Sequence, residues 1–240
     1  MLYILFFVII LIGLLPACSP YDTSDPNVKC SLPRAGRADC NKAYRQIIYE
    51  ADLTLDTSEY IVERIFGNCA IMVDNPNTHK LTKQTIEDGF NKLLGHCKNN
   101  SGYFNLTAPN DKVALIIRSR QPLPTVEMDA PFKVPICYRT STVLRPDDCN
   151  TAYDRLPTNN KGVFVDSQQS PVDVQASTFQ SCSVAVYSSD GSVMTMTKQT
   201  VTPLFKQLLP KCSNTAAGMI LPGGVQGRNG RFQIIIRRPL

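Results

Sequence analysis

The strongest constraint on the fold of this 240-residue chain is a set of four cysteines that occurs twice at similar intervals. Short motifs repeat with them: Asp-Cys-Asn-x-Ala-Tyr begins at Asp39 and again at Asp148, and Thr-Lys-Gln-Thr begins at Thr82 and again at Thr197. Self-similarity over a unit of ordinary domain size indicates two tandem domains. The repeated cysteines are Cys30, Cys40, Cys69, Cys97, Cys137, Cys149, Cys182 and Cys212.

The even number of cysteines in each unit predicts disulfide bonds formed in an oxidising compartment, because cytosolic thiols are kept reduced. The alternative is a metal site, for which zinc ligands usually come as close Cys-x-x-Cys pairs. No two cysteines in this chain lie nearer than ten positions. We therefore expect disulfides, with no metal and no cofactor.

The N-terminus favours export, since residues 1–17 carry no charge and residues 2–15 are apolar apart from Gly13. We predict a secretory signal peptide over residues 1–17, followed by an N-terminal extension over residues 18–29. The apolar run is short for a transmembrane helix, which needs about 20 residues. The expected product is an extracellular protein without a stable membrane span.

Cys18 is the one cysteine outside the two sets. The sequence Leu15-Pro16-Ala17-Cys18 resembles a bacterial lipobox, in which the cysteine is acylated after cleavage. Lipid anchoring through Cys18 is therefore the alternative localisation, and removal of Cys18 would explain the odd count equally well.

Two surface features bear on the source and the partners. N-glycosylation sequons begin at Asn99 and Asn105, in a polar segment after Cys97 that we interpret as a loop, and they favour a eukaryotic glycoprotein. The net charge of +5 is spread along the chain rather than concentrated in blocks. Nucleic acid is therefore not an expected partner.

Apolar spacing predicts two helices in each unit. The first begins near Asp39 with a buried stripe reaching Ala51, whereas its copy meets Pro157 and should be short. The second helix carries an apolar stripe that repeats at a fixed offset of 115 residues and so must face a core. The stripe residues are Ile86, Phe90, Leu93, Leu94 and Cys97, matched by Val201, Phe205, Leu208, Leu209 and Cys212.

Strands are predicted around these helices, and the fold class is α+β. We expect two tandem α/β-sandwich domains, each an antiparallel sheet of three to five strands with two helices on one face. The domains cover residues 30–120 and 137–240, and the proline-rich residues 121–136 form an extended linker. The predicted strands are 60–66, 69–73 and 113–118, and in the copy 172–179, 182–186 and 232–237.

Each unit allows three pairings of its four cysteines, and spacing alone leaves them open. Cys40 and Cys69 lie on inward stripes of elements that should pack together, which favours a Cys40–Cys69 bond and a Cys30–Cys97 bond. The copy would then form Cys149–Cys182 and Cys137–Cys212 bonds.

The duplication selects candidate binding residues, because a site present once per unit should leave the same polar residues in both copies. The alternative interpretation is ordinary helix-start propensity and solvated strand ends. The residues that pass are Lys83, Gln84, Lys198 and Gln199 at the second helix of each unit, and Arg118 and Arg237 at the last strand.

Catalytic candidates fail the same comparison. His79 and His96 have no histidine counterpart, and Glu87 and Asp88 are replaced in the copy. Oxidised cysteines offer no thiolate nucleophile. The glycine-rich segment 221–230 occurs in one unit only and is interpreted as a hairpin connection, with a phosphate-binding loop as the alternative. We therefore predict no enzymatic activity and no catalytic residues.

The motifs resemble the killer-toxin-like secreted proteins of fungi, a group that includes virally encoded killer toxins and necrosis-inducing effectors. The resemblance is carried by Asp-Cys-Asn-x-Ala-Tyr opening a helix, the strand Cys69–Val73, a Thr-led helix and its closing cysteine. It covers residues 30–120 and again 137–238, and this chain differs in being tandem. It implies an α/β sandwich, secretion, no enzymatic activity and toxin or effector action on other cells.

Two functional hypotheses follow. The first is a non-enzymatic effector or antimicrobial toxin-like protein that binds a target at another cell's surface. The second is a glycan-binding or cell-wall-associated module, for which Tyr44 and Tyr153 are the repeated tyrosines, although their spacing places them in the core. A hydrolase would require a carboxylate pair or a histidine-centred site that the sequence does not reveal.

Overall fold

The computed structural model describes residues 25–106, 113–120, 128–138 and 143–239. The predicted signal peptide, Cys18 and most of the N-terminal extension lie outside these residues. In the described ranges, no helix is both long enough and apolar enough to span a bilayer.

In the described residues, each unit has five strands and two helices in the same order. The first unit consists of β1 (Val28–Arg34), α1 (Arg37–Tyr44), β2 (Ile61–Phe66), β3 (Cys69–Asp74), α2 (Lys83–His96), β4 (Asn100–Asn105) and β5 (Ala114–Ser119). The second consists of β6 (Ile136–Cys137), α3 (Pro146–Asp154), β7 (Val174–Phe179), β8 (Cys182–Ser188), α4 (Lys198–Lys211), β9 (Ala217–Leu221) and β10 (Phe232–Arg237).

The two sheets have the same topology, β1-β4-β5-β3-β2 and β6-β9-β10-β8-β7, and every pair of neighbouring strands is antiparallel. In each unit the buried side chains of both helices share one apolar core with one face of the sheet. Phe90 of α2, for example, stacks on Tyr44 of α1, and Phe205 stacks on Tyr153. The predicted fold class and the core position of both tyrosines are confirmed.

All four predicted disulfides are present. Cys40–Cys69 and Cys149–Cys182 tie the first helix of each unit to the strand beneath it. Cys30–Cys97 and Cys137–Cys212 tie the first edge strand to the end of the second helix. Each unit is therefore cross-linked at two separate places.

The repeated aspartate of the Asp-Cys-Asn-x-Ala-Tyr motif holds a hairpin rather than capping a helix. Helix α1 begins at Arg37, before Asp39. The Asp39 carboxylate accepts a hydrogen bond of 3.0 Å from the backbone N–H of Asn68, in the turn between β2 and β3. Asp148 accepts bonds from Ser181 N–H at 3.2 Å and Ser181 O–H at 2.7 Å in the matching turn. In both units, the motif's aspartate therefore joins the first helix to the hairpin turn, next to the disulfide.

One prediction about the first helices is wrong and the other is confirmed. Helix α1 ends at Tyr44, so Ile48 is not on a buried helical stripe and is 42% exposed. The copy α3 is short, as predicted: it has nine residues and ends at Asp154, before Pro157. Beyond α1, the N–H and C=O of Ile48 both bond to the side chain of Asn229 in the second unit.

The sequon segment is strand β4 rather than a loop. It pairs with β1 on one side and with β5 on the other. Ser101 Oγ is buried and donates a 2.6 Å hydrogen bond to the carbonyl of Pro33. The segment is polar and lacks apolar alternation, so its sequence did not indicate a strand. Pairing with the neighbouring strands determines its conformation. Asn99 is exposed and Asn105 is half-buried.

The described part of the linker packs against both units. Arg120 forms a 2.9 Å ion pair with Asp129, and the Arg231 guanidinium lies 5.6 Å from the centre of the Phe132 ring. Gln233 Nε2 donates a 3.5 Å contact to Met128 Sδ. Residues 128–132 are therefore held between the units and do not act as a free spacer.

Both second helices begin with the same cap, which leads to a prediction. Thr82 Oγ1 accepts from Thr85 N–H at 3.1 Å, and Thr197 accepts from Thr200 N–H at 3.3 Å. We expect Thr82→Ala to lower the unfolding free energy by about 1 kcal/mol, since an N-terminal N–H loses its acceptor. Urea unfolding measures the change. Thr82→Ser keeps the acceptor and should retain wild-type stability, and equal losses in the two variants would contradict the capping role.

Candidate functional site

The face of the first sheet that points away from the helices carries a depression of about 730 Å³ along β1, β4 and β5. We call it the β1–β4–β5 depression. In the part of the chain that the structure describes, it is open, and it combines aliphatic, aromatic, amide and cationic groups. Its main side chains are Lys29, Ser31, Tyr103, Asn105, Ile116 and Arg118.

Strand register places these side chains in one layer. Lys29 pairs with Tyr103, and Tyr103 pairs with Ile116. The Lys29 ammonium lies 5.8 Å from the centre of the Tyr103 ring. Asn105, two residues further along β4, shares this face because side chains alternate along a strand. An aromatic ring, an amide and a cation therefore line the same surface.

The second unit replaces the key side chains. Its Gly218 pairs with Ile235 at the register at which Tyr103 pairs with Ile116. In the same way, Ile220 pairs with Gln233 where Asn105 pairs with Ala114. The second unit therefore lacks the ring and the amide of the depression.

The corresponding face of the second sheet is also covered. Ile220 is 0% exposed and Gln233 is 5% exposed. Gln233 accepts a 2.7 Å hydrogen bond from Tyr187 Oη and contacts Met128 of the linker. Among the described residues, the two copies therefore differ in the use of this face, which is open in the first unit and packed in the second.

The two predicted arginines lie at equivalent strand ends but in different surroundings. Arg118 lines the depression and forms a 2.5 Å ion pair with Glu63 on β2. Arg237 is exposed at the end of β10. Of the six predicted binding residues, Arg118 is the one placed in the depression.

The predicted residues at the helix starts make contacts within their own unit. Lys83 Nζ lies 3.9 Å from Glu87, and Gln84 Nε2 donates to Asp88 at 2.7 Å, both within α2. Lys198 Nζ donates 2.9 Å hydrogen bonds to the carbonyls of Asp154, the last residue of α3, and of Leu156. Gln199 is exposed. These contacts give Lys198 a structural role, and they do not bring the four residues into one site.

Neither histidine belongs to a polar cluster that resembles a catalytic site. His79 closes a turn, in which its N–H donates to Asn75 Oδ1 at 3.0 Å and its carbonyl accepts from Asn75 Nδ2 at 2.9 Å. His96 occupies the last turn of α2. Across the described ranges, no three His, Cys, Asp or Glu side chains are grouped to hold a metal ion.

A buried polar cluster joins the two units, and the sequence comparison missed it. Glu59 precedes β2 in the first unit, whereas Asp190 and Asn229 belong to the second, and all three are at most 1% exposed. Arg64 of β2 completes the cluster and is 7% exposed. We call these four residues the inter-repeat cluster.

Asn229 is the central bridge of this cluster. Its side-chain amide donates to Glu59 Oε2 and to the Ile48 carbonyl, both at 2.8 Å. Its Oδ1 accepts from Ile48 N–H at 2.8 Å and from the Arg64 guanidinium. Its backbone N–H donates to Glu59 Oε1 at 2.6 Å, and its carbonyl accepts from Arg64 at 3.1 Å. One side chain of the second unit thus satisfies three residues of the first.

Burial changes the ionisation of the cluster. Desolvation, followed by the nearby charges of Asp190 and Asp56, raises the pKa of Glu59 to about 7, against the opposing hydrogen bonds from Asn229. Desolvation is also the main cause that lowers the pKa of Arg64 to about 10. The cluster thus places two carboxyl groups and one guanidinium in a site where none of the three side chains is more than 7% exposed.

The only sequence signal for the cluster was the glycine-rich segment between β9 and β10. That segment connects adjacent antiparallel strands, which confirms the hairpin interpretation. A Cβ atom on Gly227 or Gly230 would lie 2.0 Å or 2.2 Å from the Asp190 carboxylate, so these positions must stay free of side chains. The segment occurs in one unit only, and the search for duplicated residues therefore passed over it.

Comparisons of the chain with protein-family models, with curated proteins and with solved structures find no match.

Proposed function

We propose that this is a secreted, non-enzymatic protein of the effector or toxin-like kind, which acts by binding a target at another cell's surface through the β1–β4–β5 depression. The observation that carries the proposal is the difference between the copies. Tyr103 and Asn105 line an open depression in the first unit, and the second unit has neither residue and covers the same face.

The physical character of the depression supports binding rather than chemistry. Apolar surface at Ile116 favours association by the hydrophobic effect, and Tyr103 offers both a ring and a hydroxyl. Lys29 adds positive charge to a chain of net charge +5, and positive charge favours encounter with anionic surfaces. Four disulfides are typical of extracellular proteins of this size of domain.

The test is a binding and activity assay with purified protein whose disulfides are intact. We expect dose-dependent attachment to some cells of a panel of fungal, bacterial and plant cells, together with growth inhibition or cell death. The variant Ile116→Lys places a charge in the depression and should weaken attachment at least about tenfold, the effect of 1.4 kcal/mol.

Val174→Lys provides the matched control, because Val174 is an exposed aliphatic residue (53%) on a sheet of the second unit. It should leave attachment unchanged. Absence of attachment and of any effect across the whole panel would refute the proposal. Full attachment by folded Ile116→Lys protein would show that the depression is not the binding surface.

The second candidate is a glycan-binding module, favoured by the side-by-side ring of Tyr103 and amide of Asn105. Aromatic faces pack against the apolar faces of sugars, and amides hydrogen-bond to hydroxyl groups. A glycan array distinguishes the two candidates. Selective binding that is lost in Tyr103→Ala would support the glycan module, whereas binding to cells stripped of surface glycans would favour a protein or lipid target.

A further inference from the structure

We propose that a proton held by Glu59, beside the Asp190 carboxylate of the other repeat, locks the two repeats together, so that their interface is closed in acid and loosens as the solution becomes neutral to alkaline. The device is built into the fold and is independent of the proposed binding function. It concerns the relative arrangement of two units that are each held internally by their own disulfides.

The two carboxylates border the same small space. They come from different units, and their exposures are 0% for Glu59 and 1% for Asp190. A Cβ atom built on Gly227 would lie 2.0 Å from Asp190 Oδ2 and 2.9 Å from Glu59 Oε1. Because both oxygens lie so close to one point, two negative charges there would repel each other strongly in a medium of low dielectric constant.

Hydrogen-bond accounting leaves one buried oxygen without a donor. Asp190 Oδ1 accepts from Ser192 N–H at 3.0 Å, from Ser192 Oγ at 2.7 Å and from Ser188 Oγ. Glu59 accepts one hydrogen bond from Asn229 at each of its oxygens. Asp190 Oδ2 is buried and has no hydrogen-bond partner among the described residues. A proton on Glu59 would supply a donor in the space that its carboxyl group shares with Asp190 Oδ2.

The surrounding charges offset only part of the charge of the two carboxylates. The Arg64 guanidinium donates hydrogen bonds to Asn229 and to the carbonyls of Gln46 and Glu63, and its single positive charge also attracts Glu59 and Asp190. Asp56 adds negative charge near Glu59, and Arg231 repels Arg64.

At the rim of the interface, Arg228 is paired with Glu50 at 2.9 Å, which removes it as a counter-ion for the buried pair. A buried, uncompensated charge is costly, so retaining one proton stabilises the closed interface.

The sign of the pH dependence follows from linkage. The pKa of Glu59 rises from an ordinary value of 4.5 to about 7 in the closed interface. The closed form therefore binds the proton more tightly than an open, hydrated form does. The resulting stabilisation is fully present below about pH 4.5 and is lost as the pH rises through 7.

Backbone amides that cross the interface report its opening. Tyr60 N–H and Ile61 N–H donate to the Asp190 carbonyl at 2.8 Å and 3.1 Å, and Ile48 N–H donates to Asn229. Hydrogen exchange of the full chain, corrected for the intrinsic pH effect, should show their protection falling at least about tenfold between pH 5 and pH 8. Amides within the sheet, such as Ile117, should change much less.

The decisive variant is Glu59→Gln, which removes the titrating carboxyl from the interface. We expect its interface amides to show nearly equal protection at pH 5 and pH 8. Asp88→Asn, at an exposed carboxylate of α2, is the control and should behave like the wild type.

Two results would overturn the proposal: a wild-type interface whose protection is constant with pH, or a pH response that persists in folded Glu59→Gln. Millimolar calcium or magnesium that raised the protection of the wild type at pH 8 to its pH 5 level would also overturn the proposal, because a bound cation would then replace the proton.

Discussion

Removing the Cys40–Cys69 disulfide by a double substitution to alanine is expected to lower the unfolding free energy by between about 3 and 4.7 kcal/mol. In the chain-entropy account, a bond that closes a 15-residue loop contributes about 3 kcal/mol and one that closes a 100-residue loop about 4.7 kcal/mol. The Cys40–Cys69 separation of 29 residues lies between these limits. Both cysteines are fully buried, so the lost packing adds to the effect. Urea unfolding followed by circular dichroism measures the loss.

The second unit supplies the matched control for this prediction. Cys149 and Cys182 are 33 residues apart and equally buried, so their double alanine substitution should cost nearly the same. Hydrogen exchange should localise each loss to the unit that carries the change. A cost below about 1 kcal/mol in both variants would show that packing, and not the cross-link, holds each unit.

Replacing Asn229 by alanine is expected to lower the stability of the inter-repeat interface by about 3 kcal/mol. The substitution removes the side-chain bonds to Glu59, to Arg64 and to both backbone groups of Ile48. A buried group left without its partner costs about 1–3 kcal/mol, and more when it is charged. Because 1 kcal/mol corresponds to about 2–4 °C in a chain of this size, the melting temperature should fall by about 6–12 °C.

Controls for Asn229 lie in the same loop. Arg228→Ala removes an exposed ion pair with Glu50 and should cost at most about 1 kcal/mol. Gln226→Ala changes an exposed side chain and should leave stability within about 0.5 kcal/mol of wild type. A similar melting temperature for Asn229→Ala and Gln226→Ala would mean that the inter-repeat cluster does not stabilise the chain.

The sequence predicted those parts of the fold whose signals are periodic. The apolar stripe of α2, from Ile86 to Leu94, repeats in α4 and is buried in both. The inward residues of β3 and β8 alternate as expected, and the cysteines on the stripes of α1 and β3 meet. These predictions succeeded because burial on one face imposes a spacing that is visible along the chain.

The failures share a physical cause, which is contact between residues that are distant in the chain. Helix α1 ends at Tyr44, and Ile48, which was expected on its buried stripe, instead bonds to Asn229, 181 positions away. Strand β4 is polar and owes its conformation to pairing with β1 and β5. Local periodicity carries no record of either interaction, so both elements were given the wrong extent or type.

The candidate sites were missed for a related reason. Comparing the copies selected residues that repeat, and most of those, such as Asp39, Thr82 and Lys198, serve the structure of each unit. Tyr103 and Glu59 do not repeat, and they mark the surfaces at which the two units differ. The comparison therefore identified the scaffold and, by exclusion, indicated that function lies where the copies diverge.

The sequence by itself determined that this chain is two copies of one α+β unit, each with two disulfides, because cysteine spacing and apolar stripes are local properties that duplication preserves. The tertiary structure decided how the copies differ in use. Among the described residues, it leaves one sheet face open and covers the other, and it buries Glu59 beside Asp190. Both outcomes depend on which surfaces meet in space, and that is fixed by long-range packing and desolvation rather than by spacing along the chain.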